Sequence, residues 1–507
     1  MITLINPNLV FQQNDPFTTG IVYMPIGLAY SAAILKQSGF QIRVIDAFGE
    51  NPKQLSNSGK FSFLGLKPQE LLDRISDNSK IIYVYAINLL NHISTISIIK
   101  IIKQKFPEKK IIALENTQAV TAYAIKKVYN EFLEAGADYV LTNEPELNIC
   151  ELSDLIIKNN FQKLTGLKGL IGKNFNNEFS VSIDNLDSLP FPAWELFPLE
   201  NYWSLRFGHG PVSSLKYLPL LTSRGCPYKC RFCVSPENNK GGWRYRSPKN
   251  VVDEIEQFVL KFNVKEFHIE DLNPTVSDER IQNICKEIKK RNLNIIWKIA
   301  AGTKVETIKS EETIKLMSES GCRYISISPE TGSPDVLKKM NKPFDLEYAV
   351  KTIRLLKKHG IFIQTCFVLG FPGETKTDLQ KTYSLIKSLT KIGIDEIALF
   401  IIAPVPGAEI FGEFSGFNSL SELNFTPSWR DDYKFLVKFR MKLYRTFLIL
   451  KILYHPLNII IQSINFFRRK FDTKMEMIPY RALVYKYLYI KNFLSGLANN
   501  DKNLKIF

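Results

Sequence analysis

Cys226, Cys230 and Cys233 lie within eight positions in the stretch TSRGCPYKCRFCVSP, at the spacing C-x3-C-x2-C. Three thiolates do not close a structural zinc site, which takes four ligands, usually in two pairs. No fourth cysteine is near, and His209 and His268, the nearest imidazoles, lack a ligand-pair spacing. A four-iron cluster suits the triad better. It takes one thiolate per iron. Three cysteines leave one iron open to chelate a substrate or cofactor, as a catalytic zinc keeps an open position. Gly225 and Pro227 shape the loop, Lys229 and Arg231 can offset the cluster's negative charge, and Phe232 shields it from water.

Such a loop needs a rigid support, and the flanking sequence supplies one. The runs KYLPLLTS, VKEFHIED, NIIWKIAA, CRYISISP, IFIQTCFVLG and DEIALFII read as strands. Helical patterns lie between them, with start signals at Ser247, Ser277, Ser310, Asp345 and Thr375. Six strand–helix units predict a partial (β/α)6 barrel over residues 216–411. Chemistry in such barrels sits at the carboxyl ends of the strands, where the three cysteines follow the first strand.

A separate alternating series precedes it. MITLIN, FQIRVIDA, KIIYVYAI, KKIIAL and ADYVLTN read as strands. PIGLAYSAAILKQSG, STISIIKIIKQKF, AVTAYAIKKVYNEFLEAG and EPELNICELSDLI read as the helices between them. This α/β alternation predicts a Rossmann-like, flavodoxin-like parallel sheet over residues 1–182, with helices on both faces. No G-x-G-x-x-G follows the first strand, which disfavours a dinucleotide site. Residues 183–215, rich in proline and without a clear period, read as a linker. Residues 412–507 form a basic, mostly helical C-terminal region.

Composition sets the outer bounds. A chain of 507 residues exceeds one ordinary core, and 45% apolar with 23% charged residues is a globular balance. The seven cysteines are odd in number and irregularly spaced outside the triad, which argues against a secreted disulfide framework. No signal peptide is read at the start of the chain, and a reducing cytoplasm is the expected compartment. The net charge is +16, and from Arg430 to Phe507 sixteen Lys and Arg face five acids. That excess suits a solvated face, an acidic or lipid-like substrate, or peripheral contact with a membrane. Nucleic acid is not expected, because no recognition motif accompanies the charge.

The triad, the aromatic Phe232 before its last cysteine and the place after a first barrel strand resemble the radical S-adenosylmethionine (radical SAM) superfamily. SISPETGSPDVLKKMNKP resembles the family's segment after the fourth strand, and FVLGFPGET its fifth-strand motif. APVPGAEIF resembles the closing segment, and HIEDLN stands where many members have Gly-Gly-Glu. The resemblance implies a 4Fe-4S cluster on Cys226, Cys230 and Cys233, with S-adenosylmethionine on the open iron. It implies cleavage of that cofactor to a 5′-deoxyadenosyl radical, with an electron donor such as flavodoxin or ferredoxin. It places Phe232, Glu330, Thr331, Gly370 and Gly373 near the cofactors. Lys304 stands where relatives often have Arg, which keeps the charge and loses the planar fork.

The first 182 residues resemble the cobalamin-binding domain of one large class within that superfamily. The class contains methyltransferases that act on unactivated carbons, as well as cyclases. Methylation is the expected outcome; radical cyclisation, oxidation or rearrangement is the alternative, and a non-catalytic scaffold is the alternative outside enzymology. Two positions depart from the class. Phe48 replaces the cobalt-ligating histidine, and Glu115 and Asn116 stand in place of glycines near the cofactor's nucleotide tail. No catalytic residue and no substrate can be read from the motifs.

Overall fold

A computed structural model describes residues 1–177, 182–424 and 426–498. Strands β1 (Ile2–Asn6), β2 (Ile42–Asp46), β3 (Ile81–Ala86), β4 (Lys110–Glu115) and β5 (Tyr139–Leu141) form a parallel sheet. Two short antiparallel strands, β6 (Leu170–Gly172) and β7 (Phe175–Asn176), extend one edge, giving the order β7-β6-β5-β4-β3-β1-β2. The parallel part has the flavodoxin-like order, reversing at β1. Strands β1, β3 and β4 are buried along nearly all their length, as a sheet covered on both faces requires. Helices α1 (Ile26–Gln37), α2 (His92–Lys105) and α3 (Ile149–Ile157) pack in the surrounding layers.

The second sheet is a parallel run in chain order: β8 (Tyr217–Leu220), β9 (Glu266–Ile269), β10 (Ile296–Thr303), β11 (Cys322–Glu330), β12 (Phe362–Leu369) and β13 (Glu396–Ile401). It is the six-stranded partial barrel expected. Five helices cover it: α4 (Pro248–Phe262), α5 (Asp278–Lys290), α6 (Glu311–Glu319), α7 (Leu346–Lys358) and α8 (Lys376–Ile392). Each starts at its sequence signal. Ser247, Ser277, Ser310, Asp345 and Thr375 all accept a backbone N–H of the first turn, and Thr375 and Asp378 close a capping box.

Three helices follow: α9 (Tyr433–Tyr454), α10 (Pro456–Arg468) and α11 (Lys474–Ala498). They finish the barrel rather than trail from it. Phe471 N donates to Val212 O at 2.8 Å, and Lys451 Nζ donates to Asp395 O. Residues 183–215 are also packed, with Trp194 and Tyr202 wholly buried.

One expected helix differs. AVTAYAIKKVYNEFLEAG is helical only over Ile125–Lys127, as a 3-10 turn, and Tyr129–Glu134. Its first half is pulled out of helical geometry by tertiary bonds. Ala124 N donates to Pro406 O at 2.9 Å, and Ile125 N donates to the buried Glu115 carboxylate at 2.8 Å.

Candidate functional site

The cysteine loop leaves β8 through a short hairpin, Ser223–Gly225 against Trp243–Tyr245. Gly225 has φ +80°, and a Cβ there would lie 2.1 Å from Gly242 O. Only glycine fits. Below the hairpin, the buried Asp271 accepts from Thr222 N at 2.7 Å and from the Thr222 and Ser223 hydroxyls at 2.6 Å. The loop is therefore anchored before the first cysteine.

The three thiols are reduced and partly buried. Burial, then the neighbouring Cys230 and Cys226, pushes the Cys233 thiol up to about 12. Burial also raises Cys226 and Cys230, and Lys304 and Lys342 oppose it at both. Ser235 N donates to Cys233 Sγ at 3.4 Å, and Asn273 Nδ2 reaches Cys226 Sγ at 4.0 Å. Among the described residues no three His, Cys, Asp or Glu side chains converge on one ion position. A cluster does not require that, because each thiolate goes to a different iron. Three thiols on one loop, two of them met by N–H donors, with two ammonium groups that oppose the effect of burial, fit a 4Fe-4S cluster.

Of the two cations expected beside the thiols, Arg231 does not face them. Arg231 turns outward to Glu409 at 2.6 Å and Glu413 at 2.5 Å. Lys304 and Lys342 take its place. Lys304 Nζ lies 3.8 Å from the Tyr228 ring centroid and 2.7 Å from Glu306. Lys342 is buried, bonds Glu330 at 2.7 Å and donates to Ser328 O at 2.7 Å. Lys342 lies inside a quoted motif, but nothing in the motif tells its ammonium from the other lysines nearby.

The remaining expected residues divide. Glu330 has a left-handed backbone, φ 66°, and its carboxylate lies close enough to act on Cys230. It does not cap the following helix, since Ser333 holds that position. Thr331 is buried, and its hydroxyl is engaged by Thr382 at 2.9 Å and by Ser333 N at 3.2 Å. Its hydroxyl serves to pack α8. Gly370 and Gly373 have φ +76° and +75° and form the turn after β12. A Cβ on Gly370 would also lie 2.5 Å from Leu436. Phe232 packs with Val336, Met340, Val368 and Phe371, tying the cysteine loop to that turn. His268 is a satisfied barrel residue: Glu266 bonds both it, at 2.8 Å, and Lys298, at 3.0 Å.

Inside the barrel, His209 and Glu270 are 2.6 Å apart, and Tyr23 packs on the His209 ring. Lys474 Nζ reaches Ala300 O at 3.3 Å and Gln364 at 3.5 Å, and Cys366 Sγ lies 3.3 Å from Ser326 Oγ. Sequence motifs gave no sign of this lumen.

Residues 220–386 match the model of the radical SAM superfamily. The chain carries a radical SAM domain. An uncharacterized methyltransferase of Pyrococcus horikoshii is 28% identical over 358 residues, covering 66% of this chain and 74% of the relative. The cytidylyl-2-hydroxyethylphosphonate methyltransferase of Streptomyces wedmorensis is 24% identical over 445 residues, 81% of each chain. The radical S-adenosylmethionine methyltransferase TsrM of Kitasatospora setae, with cobalamin and a 4Fe-4S cluster bound, shares the fold at a TM-score of 0.60. It is 17% identical, over 81% of this chain and 74% of TsrM. The parallel sheet in front of this radical SAM domain therefore belongs to a shared architecture.

A narrow crevice of about 10 Å3 lies between that sheet and the radical SAM barrel, lined by Gly27, Tyr85, Asn116, Gln118, Glu146 and Arg224 among others. It is too small for a whole corrinoid. Glu115 explains part of the closure: its carboxylate, pushed up to about 7 by burial, bonds Ile125 N and Asn143 N at 2.8 and 2.5 Å. Gln118 Oε1 accepts from Gly225 N at 3.1 Å across the crevice. Phe48 is buried against Tyr202, whose hydroxyl donates to Asp46 at 2.7 Å. These residues, as arranged, do not fit the cofactor that TsrM holds.

Proposed function

We propose that this chain is a radical SAM enzyme of the cobalamin-dependent methyltransferase type, acting on an unactivated carbon of a small-molecule or lipid-like substrate. The observation that carries the radical chemistry is Cys226, Cys230 and Cys233 on one anchored loop, with Lys304 and Lys342 opposing the thiols' burial. When bound, a 4Fe-4S cluster and S-adenosylmethionine supply reductive cleavage of the sulfonium to a 5′-deoxyadenosyl radical.

The chain's own residues hold and enclose that chemistry. The two ammonium groups offset the charge that three thiolates bring into a partly desolvated loop. Lys342 fixes the Glu330 carboxylate, which would accept from the amino group of S-adenosylmethionine. The turn at Gly370 and Gly373 would supply the backbone that approaches its adenine, as the resemblance implies. Phe232 keeps water from the cluster. Lys474, Glu270, His209 and Cys366, on the inner side of the barrel, are the polar groups that would meet the substrate. A flavodoxin- or ferredoxin-like donor supplies the electron.

The methyltransferase reading is supported by the two methyltransferase relatives and by the fold shared with TsrM. The crevice beside Glu115 has to open to admit a corrinoid, and no step is assigned to one.

The test is anaerobic reconstitution with iron and sulfide, then dithionite and S-adenosylmethionine. We expect 5′-deoxyadenosine from the wild type and none from Cys226→Ala. Its absence from the wild type overturns the radical reading. Titration with hydroxocobalamin, followed by visible absorbance, decides the second cofactor separately: an unchanged spectrum removes cobalamin and leaves the radical chemistry standing.

A further inference from the structure

The C-terminal helices carry an apolar surface that no other described part of the chain covers. Of the twenty-four large apolar side chains that are exposed among the described residues, eighteen lie between Phe435 and Leu494. Helix α10 is the clearest case, because its amphipathicity is inverted. Its one buried side chain is Gln462. Gln462 Nε2 donates to Thr473 Oγ1 at 2.9 Å, and Asn465 Nδ2 donates to Asp472 at 2.8 Å, so the polar stripe faces the protein. Leu457, Ile460, Ile461 and Phe467 stand 70%, 54%, 49% and 81% exposed on the other side. A helix docked on a core in water turns the opposite way. The end of α9 continues the surface with Ile452, Leu453 and Tyr454. An apolar patch of this extent marks an interaction site.

Charge says what covers it. Between Tyr433 and Leu494 the sequence holds thirteen Lys and Arg and two acids, Asp472 and Glu476. Glu476 is buried and Asp472 is paired with Asn465. Lys434, Lys438, Lys442, Arg445 and Arg468 are exposed on the same helices, and Lys470 just after α10. A second copy is a poor occupant, since a self-complementary interface would bring these cations against one another. An apolar strip edged by exposed bases is the pattern of a helix lying in the interface of an anionic bilayer.

The geometry also excludes a simple span. No single described helix is long and apolar enough to cross a membrane; α9 and α10 pass such a test only together, and they meet at 109°. Helix α9 is held to the barrel along its length, burying Leu436, Leu443 and Phe447 and taking Leu399 N on Tyr444 Oη at 3.3 Å. It cannot be surrounded by lipid. Its outer face, α10 and the exposed side chains of α11 are free to dock.

We propose that α9–α11 seat this protein on an anionic membrane surface, with α10 lying in the interfacial plane. The inference does not depend on the radical chemistry. It gives that chemistry a setting, because α11 begins with Lys474, which points into the barrel lumen. The docking face and the substrate space share one segment of chain.

Flotation of the full chain with vesicles tests this. Vesicles of phosphatidylcholine containing phosphatidylglycerol should carry at least tenfold more protein than phosphatidylcholine alone, and added salt should reduce the excess. The triple variant Leu457→Gln, Ile461→Gln, Phe467→Gln changes only exposed side chains. It should lose at least tenfold in flotation while keeping its circular dichroism and elution volume. If it misfolds, Arg468→Glu with Lys470→Glu provides the second reading, with loss of the phosphatidylglycerol preference expected. Equal recovery with and without vesicles overturns the proposal. So does a wild-type dimer in solution that the triple variant dissociates, because the face is then a protein interface.

Discussion

Lys342 bonds the Glu330 carboxylate at 2.7 Å, twelve residues further along the chain and buried beside the three-cysteine loop. The short helix Pro334–Lys339 after β11 returns the lysine to a glutamate held at φ 66°. Neither charge can stay in that place without the other. Removing one partner of a buried pair costs about 3–5 kcal/mol. Lys342→Met should therefore destabilise by that order, and Lys342→Met with Glu330→Met should recover most of it. Denaturant unfolding of both single variants and the double variant measures the coupling. Additive losses show that the two charges act independently.

The hairpin before the cysteines makes a sharper demand. Gly225→Ala adds a Cβ 2.1 Å from Gly242 O at φ +80°. The left-handed backbone alone costs roughly 1–2 kcal/mol for a residue with a side chain. The hairpin must shift, and the loop with it. Iron bound per chain after reconstitution should fall, while Gly412→Ala, where a Cβ meets nothing, should leave it unchanged.

Lys304 gives a prediction about the electron rather than the iron. Its ammonium, over the Tyr228 ring, opposes the raised affinity of the buried thiols for protons. By the same sign it stabilises an added negative charge. Lys304→Met should move the cluster's midpoint to a more negative potential, by roughly the 59 mV of a tenfold change in a one-electron equilibrium. Lys304→Arg should stay near the wild type. Redox titration of the reconstituted proteins separates these outcomes.

Stability should fall as pH rises toward neutrality. Burial pushes Glu115, Glu374 and Glu396 each up to about 7. Their folded values lie above their unfolded ones, so the unfolded chain releases protons first. The stability they contribute is complete below pH ~4.5 and declines until about pH 7. Glu374 is the cleanest probe, because one carboxylate oxygen takes Gly370 N at 2.6 Å and the other is buried without a partner. Glu374→Gln keeps the first bond and cannot ionise. Its melting temperature should fall less than the wild type's between pH 5 and 7, read by thermal unfolding at each pH. An equal fall in both assigns the slope to other groups.

What the sequence disclosed follows from how local each signal is. The five helix starts at Ser247, Ser277, Ser310, Asp345 and Thr375 are fixed within one turn of chain, and each was legible. The cysteine spacing and the glycines after β12 are local too. Arg231 was misread because its direction depends on Glu409 and Glu413, far along the chain. Lys342 was passed over for the same reason. Residues 119–124 carry a helical pattern that loses to a bond with Pro406, which no window of sequence contains. In the tail the positive charge was plain. The inversion of α10 was not, because the partners of Gln462 and Asn465 decide which face turns outward.

The C-terminal segment has a consequence for how this protein is made. Arg430 donates to Gly370 O and to Ile402 O, both at 2.9 Å, locking the turns after β12 and β13. Phe471 N is tied to Val212 O, and Phe471 O accepts from Lys298 at 3.4 Å inside the barrel. During synthesis the cysteines emerge from the ribosome some two hundred residues before these clasps. Domains fold as units, amino-terminal first, and here the clasps of the barrel come from the segment made after it. The turns after β12 and β13 therefore lack this clasp until the segment carrying Arg430 has been made.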